Sequence, residues 1–180
     1  MPKNTKDKIL EVAQNLITEK SYAAVSISEI ADKVGITKSS IYHFFKNKES
    51  LYSEIITSYI ENSIKIYSYQ PNEKPSKKLL EGKIKEAIKY GKKHGNTLGA
   101  FESVIWSDEN AKKIRKSFSE LYLTLFETLR KTGINKPEFS VHLILDMSYL
   151  YIKKEKCGEQ NWNTEEFTKL LIKHLYVQKN

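Results

Sequence analysis

Residues 26–48 read SISEIADKVGITKSSIYHFFKNK, and the reading of this stretch decides the fold. Ser26, with Glu29 three residues on, is a capping-box pattern, so a helix can start there. Ile27, Ile30, Ala31 and Val34 follow at i, i+3, i+4 and i+7 and lay one apolar stripe along that helix. Gly35 ends it, because glycine reaches the left-handed backbone conformation at little cost. Thr37 can cap a second helix that carries Lys38, Ser39, Ser40, Tyr42 and His43, while Ile41 and Phe45 turn inward. An apolar-backed helix, a short glycine turn and a second helix with small polar and basic residues near its start describe a helix-turn-helix. In that motif the second helix lies in the major groove of DNA.

Outward from the motif the chain reads as helix on both sides. A first helix is expected over Thr5 to Lys20, with Ile9, Ala13, Leu16 and Ile17 on one side. Asn47 can cap a fourth from Lys48 to about Tyr67, and the prolines of YQPNEKP break it. Ser76 opens a lysine-rich helix to about Lys93, and a short helix covers Leu98 to Trp106. Ser107, followed by Asp108 and Glu109, caps a long helix to Lys131 that Gly133 closes. Pro137 sits in the first turn of the next, to about Lys154, and Asn163 with Glu166 opens the last, to about Val177. No alternating strand competes, so the fold class is all-α with about nine helices.

Bulk composition sets the class. The chain has 180 residues, 39% hydrophobic and 29% charged, as in ordinary soluble proteins. No apolar run approaches the ~20 residues that cross a bilayer, and MPKNTKDK lacks the apolar core of a signal peptide. A single cysteine, Cys157, excludes an internal disulfide framework and fits a reducing compartment. A cytoplasmic protein with no membrane partner is expected. The formal net charge of +8 suits a polyanion, yet residues 1–52 hold eight lysines against six acidic residues, a net of +2. The placement of Lys38, Lys46 and Lys48 therefore says more than bulk charge.

Catalysis finds little footing. His94, His142 and His174 are isolated, with no H-E-x-x-H spacing, and GKKHG lacks the phosphate-loop pattern. His142 and Asp146 at i+4 read as an ordinary hydrogen bond. The expectation is a non-enzyme with no cofactor and no metal.

From about Lys8 to Ile56 the chain resembles the TetR/AcrR family of transcriptional regulators. The resemblance runs through ILEVAQNLITEK and VSISEIADKVGITKSSIYHFFKNKESL, and IYHFFKNKESL carries the family's signature at the end of the recognition helix. One departure is Ser21, where the family usually has glycine in the loop after the first helix. The resemblance implies a three-helix DNA-binding domain over residues 1–50, joined by the long fourth helix to a helical regulatory and dimerisation domain over 51–180. It implies that Lys38, Ser39 and Ser40 approach base edges, and that Tyr42, His43 and Lys48 contact phosphates. Ser26 and Ser28 can add contacts, Ser26 being equally explained as a cap, and Lys46 is a loop lysine near the same face. It also implies a small apolar or amphipathic effector, for which Phe101, Glu102, Trp106, Tyr122, Phe126, His142 and Tyr149 are candidate lining residues; ordinary core packing explains such aromatics as well. The last helix, with Phe167, Leu170, Leu171, His174 and Leu175, suits a two-fold homodimer on a near-palindromic operator. The alternative function is a helical protein–protein interaction module that never meets DNA.

Overall fold

The start and stop signals of the helix-turn-helix are all in use. In the computed structural model, which describes residues 5–94, 106–156, 158 and 163–176, the Ser26 hydroxyl accepts the Glu29 N–H at 3.1 Å and opens a helix. Gly35, at φ +79°, closes it by donating to the Ala31 and Asp32 carbonyls, while Ile36 N–H reaches back to Ala31 at 3.0 Å. These are the paired bonds of a Schellman motif, and they need a left-handed residue at Gly35. Thr37 Oγ1 accepts the Ser40 N–H at 3.1 Å, and Asn47 Oδ1 accepts the Ser50 N–H at 2.7 Å, so both following helices are capped by side chains.

Eight helices and no strand occur among the described residues: α1 (Thr5–Lys20), α2 (Ile27–Val34), α3 (Lys38–Phe44), α4 (Lys48–Tyr67), α5 (Lys77–His94), α6 (Asp108–Lys131), α7 (Pro137–Lys156) and α8 (Thr164–Tyr176). The short helix expected before Trp106 falls on residues 95–105, outside the described residues, as do Phe101, Glu102, Cys157 and Val177. None of the helices is long and apolar enough to cross a membrane.

The chain packs as two compact units, Met1–Ile60 with His94–Ser117, and Glu61–Lys93 with Phe118–Asn180. The first packing unit takes in α4 as far as Ile60, and Leu51, Tyr52, Ile55, Ile56 and Ile60 are all buried. In the first unit they are joined in the core by Ile9, Ala13, Leu16 and Ile17 of α1, by the α2 stripe, and by Ile41 and Phe45. Lys8 Nζ donates to the Val34 carbonyl at 2.9 Å, and Lys6 pairs with Glu54 at 2.7 Å.

In the second unit, the core draws Leu80, Ile84 and Ile88 from α5, Leu125 and Leu129 from α6, Val141 and Ile144 from α7, and Phe167 and Ile172 from α8. Lys83, inside the lysine-rich helix, is buried there. Its ammonium donates to the Ile66 and Ser68 carbonyls at 3.2 and 2.8 Å and to Glu73 at 2.9 Å, which occupies all three protons. Thr128 Oγ1 donates to the Tyr67 carbonyl at 2.9 Å. The C-terminal end of α4 is therefore capped by side chains of α5 and α6.

Ser21 adopts φ +79° while its N–H closes α1 on the Ile17 carbonyl at 3.0 Å. The left-handed conformation costs an L-residue roughly 1–2 kcal/mol, and glycine escapes it. Glycine also gains freedom in the unfolded chain, worth about 0.4–1 kcal/mol in the other direction. Ser21→Gly is thus expected to stabilise the protein by about 0.5–1 kcal/mol, read as a higher thermal midpoint. A lower midpoint would show that the serine side chain contributes more than its strain costs.

Candidate nucleic-acid interface

Helix α3 has one buried side and one open side. Ile41 and Phe45 are 0% and 2% exposed, while Lys38, Ser39, Tyr42 and His43 are exposed, Tyr42 at 46%. Ser40 differs from its neighbours: it is half-buried, and its hydroxyl lies 2.8 Å from Thr37 Oγ1. It belongs to the cap first and to the open face second. Ser26 is likewise exposed but occupied as the α2 cap, whereas Ser28 is exposed in the first turn of α2 and Lys46 is exposed in the turn before α4. Phe44 is 40% exposed and was not singled out in the sequence. Its i+3 spacing from Ile41 suggests an inward ring, but the chain turns to extended backbone at Phe45, which takes the inward place.

Lys48 begins α4, where free N–H groups and the positive end of the helix dipole favour an anion. Its Nζ lies 4.2 Å from the centroid of the Tyr22 ring. Tyr22 stacks on Tyr52 at 4.4 Å, and Tyr52 stacks on Trp106 at 5.6 Å. Burial holds the Lys48 ammonium below the ordinary lysine range, and the electron-rich ring face works against that shift. Burial and the nearby Glu49 charge push the Tyr22 hydroxyl up. The next residue, Glu49, accepts the Ser107 N–H at 2.7 Å, the Ser107 O–H at 2.9 Å and the Asn110 amide at 2.8 Å. These bonds, the Asn110 amide first, hold its carboxyl below the usual range.

The candidate effector residues are distributed unevenly. Trp106 belongs to the first unit, in the aromatic stack ahead of α6. Tyr122 and His142, in the second unit, are brought together with ring centroids 5.4 Å apart. Phe126 is half-buried, and Tyr149 and His142 are exposed. The second unit also holds polar groups that the sequence did not flag. Asn62 donates to the Tyr90 hydroxyl at 3.2 Å, and burial pushes that hydroxyl up. Ser148 Oγ is buried without a hydrogen-bond partner among the described residues. Nothing in the spacing of a lysine-rich helix marks Tyr90, since its burial depends on α4.

Comparison with known proteins bears on this geometry. Residues 9–55 match the family model for bacterial regulatory proteins of the tetR family. The chain is 30% identical over 60 residues to the HTH-type transcriptional repressor KstR2 of Mycolicibacterium smegmatis, covering 33% of this chain and 29% of that protein. It is 26% identical to the uncharacterized HTH-type transcriptional regulator YerO of Bacillus subtilis, over 94% of this chain and 63% of that one. The matches thus span less than two thirds of these relatives' own length. Among solved structures, the transcriptional regulator FadR from Bacillus subtilis, in complex with stearoyl-CoA, superposes with a TM-score of 0.73 at 18% identity, over 97% of this chain and 99% of that one.

Partial burial of the ammonium destabilises the free protein, so Lys48→Met is expected to raise its thermal midpoint at neutral pH. The folded-state pKa lies below the unfolded one, so the penalty belongs to the charged form. It is fully present below the folded pKa and is lost as pH rises from that value to the unfolded one. Melting curves of parent and variant should therefore converge toward alkaline pH. A variant less stable than the parent at neutral pH would mean that the contact with Tyr22 outweighs the cost of burial.

Proposed function

Because the chain belongs to the TetR family of bacterial regulatory proteins, we propose that it is a ligand-responsive transcriptional regulator, a repressor that binds a near-palindromic operator as a homodimer. The observation that carries this reading is the open face of α3, with Lys38, Ser39 and Tyr42 outward over buried Ile41 and Phe45, followed by Lys48 at the start of α4. Lys38 and Ser39 are suited to base edges in the major groove, since lysine donates to guanine and serine bonds either partner. Tyr42, His43 and Lys48 are suited to phosphates and set the register. Ser40, Ser26, Ser28 and Lys46 take a lesser part, Ser40 and Ser26 because their hydroxyls serve as or join caps. The protein acts in the cytoplasm, where its operator lies, and performs no chemical step.

A second copy of the chain is the proposed partner of α7 and α8. Phe139, Met147 and Leu150 of α7 and Leu170 of α8 are large apolar side chains left exposed. Phe139, Met147 and Leu150 fall on one side of α7 at helical spacing, which suits an isologous interface. Such a dimer presents two recognition helices to half-sites about 34–36 Å apart. The proposed effector is apolar or amphipathic and binds in the second unit; the stearoyl-CoA bound by Bacillus subtilis FadR is one example of that chemistry. Supporting a coupling route, α4 and α6 each continue past the packing boundary. They are bonded to each other at Glu49–Asn110 and again at Tyr67–Thr128.

The test of DNA binding is a selection of duplexes with the purified protein, followed by titrations across salt. Lys38→Ala is expected to cost about 1–3 kcal/mol and relax preference at one operator position. Lys48→Met should weaken binding to every sequence and lower the salt slope by about one. Absence of salt-dependent binding by the parent would favour the interaction-module reading.

The dimer is tested by sedimentation. The parent is expected to run as a dimer at micromolar concentration, and Leu150→Glu, which places a charge on the apolar stripe, as a monomer with its fold retained. An unchanged dimer in that variant would put the interface elsewhere.

A further inference from the structure

Helix α6 is capped by a residue from another helix. Ser107 stands where a serine cap is expected, yet its hydroxyl and its N–H both donate to Glu49 on α4, and the Asn110 side chain adds a third bond to the same carboxylate oxygen. A carboxylate at a helix N-terminus is favoured by the helix dipole, and bonds to an ionised acceptor are the stronger kind. Next to this cap, Trp106 supports Tyr52, Tyr52 supports Tyr22, and Tyr22 lies under the Lys48 ammonium. Two consecutive residues of α4 are thus tied to one short segment, Glu49 directly and Lys48 through the stack. Charge alone makes Glu49 a poor choice at this place, since a carboxylate beside a phosphate-facing lysine repels phosphate.

We propose that Glu49 is a positioning residue for DNA binding: by holding the start of α6, it fixes the first turn of α4 and so aims the Lys48 ammonium. The proposal rests on the DNA-binding reading given above. It also gives the segment from Trp106 to Asn110 a task at the DNA-facing end of the protein. Lys48 is not a freely swinging lysine; its half-burial and the ring beneath it restrict where the ammonium points.

Charge and positioning predict opposite signs, which makes the test decisive. Affinity for the selected operator duplex is measured across salt for the parent, Glu49→Ala, Glu49→Gln and Asn110→Ala, with circular dichroism and thermal melting of each. Positioning predicts that Glu49→Ala and Asn110→Ala bind about fivefold to tenfold more weakly, with part of the Lys48 share of the salt slope gone. Glu49→Gln, which keeps an acceptor oxygen, should recover part of the loss. In a Lys48→Met background, Asn110→Ala should have no further effect on the slope. Tighter binding by Glu49→Ala, or parent-like binding by Asn110→Ala, would overturn the proposal while leaving DNA binding intact. If the parent itself shows no salt-dependent binding, the DNA-binding reading falls with it. Should Glu49→Ala fail to fold, Asn110→Ala, which leaves the carboxylate in place, decides by the same criteria.

Discussion

A helix of seven residues does not hold itself together in water, and everything proposed for the DNA-facing surface rides on one. Nucleation costs more than two turns of hydrogen bonds return, so α3 exists only by packing. Ile41 and Phe45 supply that packing. Burying two such side chains stabilises by roughly 1.5–3 kcal/mol each, against about 1 kcal/mol for the Thr37 cap. Burial therefore decides whether the helix forms, and the cap decides where it begins. The left-handed turn at Gly35 then sets the angle at which the open face is presented.

Helix α4 ties this surface to the rest of the chain. Asn47 caps its first turn, Glu49 accepts bonds from the start of α6, and its last carbonyls are satisfied by Lys83 and Thr128. Both ends are thus held by specific, directional bonds and not by apolar contact alone. Hydrogen bonds of this kind tolerate little displacement, because their strength falls steeply with angle and distance. The surface ion pairs contribute little beside this; Lys20 and Glu29, for example, meet at 2.6 Å at the solvent boundary.

What could be read from the sequence was local. Ser26, Gly35, Thr37 and Asn47 act within three or four residues of themselves, and each occupies its expected place. The resemblance rests on the same local stretch, which explains why fold and family were legible together. What could not be read was set by partners far along the chain. Ser107 looks like a cap for its own helix until Glu49, 58 residues away in the chain, takes that role. Lys83 is one lysine among many until three acceptors, one at the end of α4 and two in the α4–α5 connection, surround it. Nothing local to Trp106 points to Tyr52, on which its ring stacks. Phe44 and Phe45 are adjacent and identical, and only the backbone turn after α3 tells which one is inside.

The central claim is that DNA meets the outward face of α3 and the start of α4. It is tested most directly by nuclear magnetic resonance, with the selected operator duplex titrated into isotope-labelled protein. The account predicts that the largest amide shifts fall on Lys38, Ser39, Tyr42 and Lys48, and that the Trp106 indole responds through the stack beneath Lys48. A complex that leaves those signals in place and moves others, such as those of α8, would contradict it.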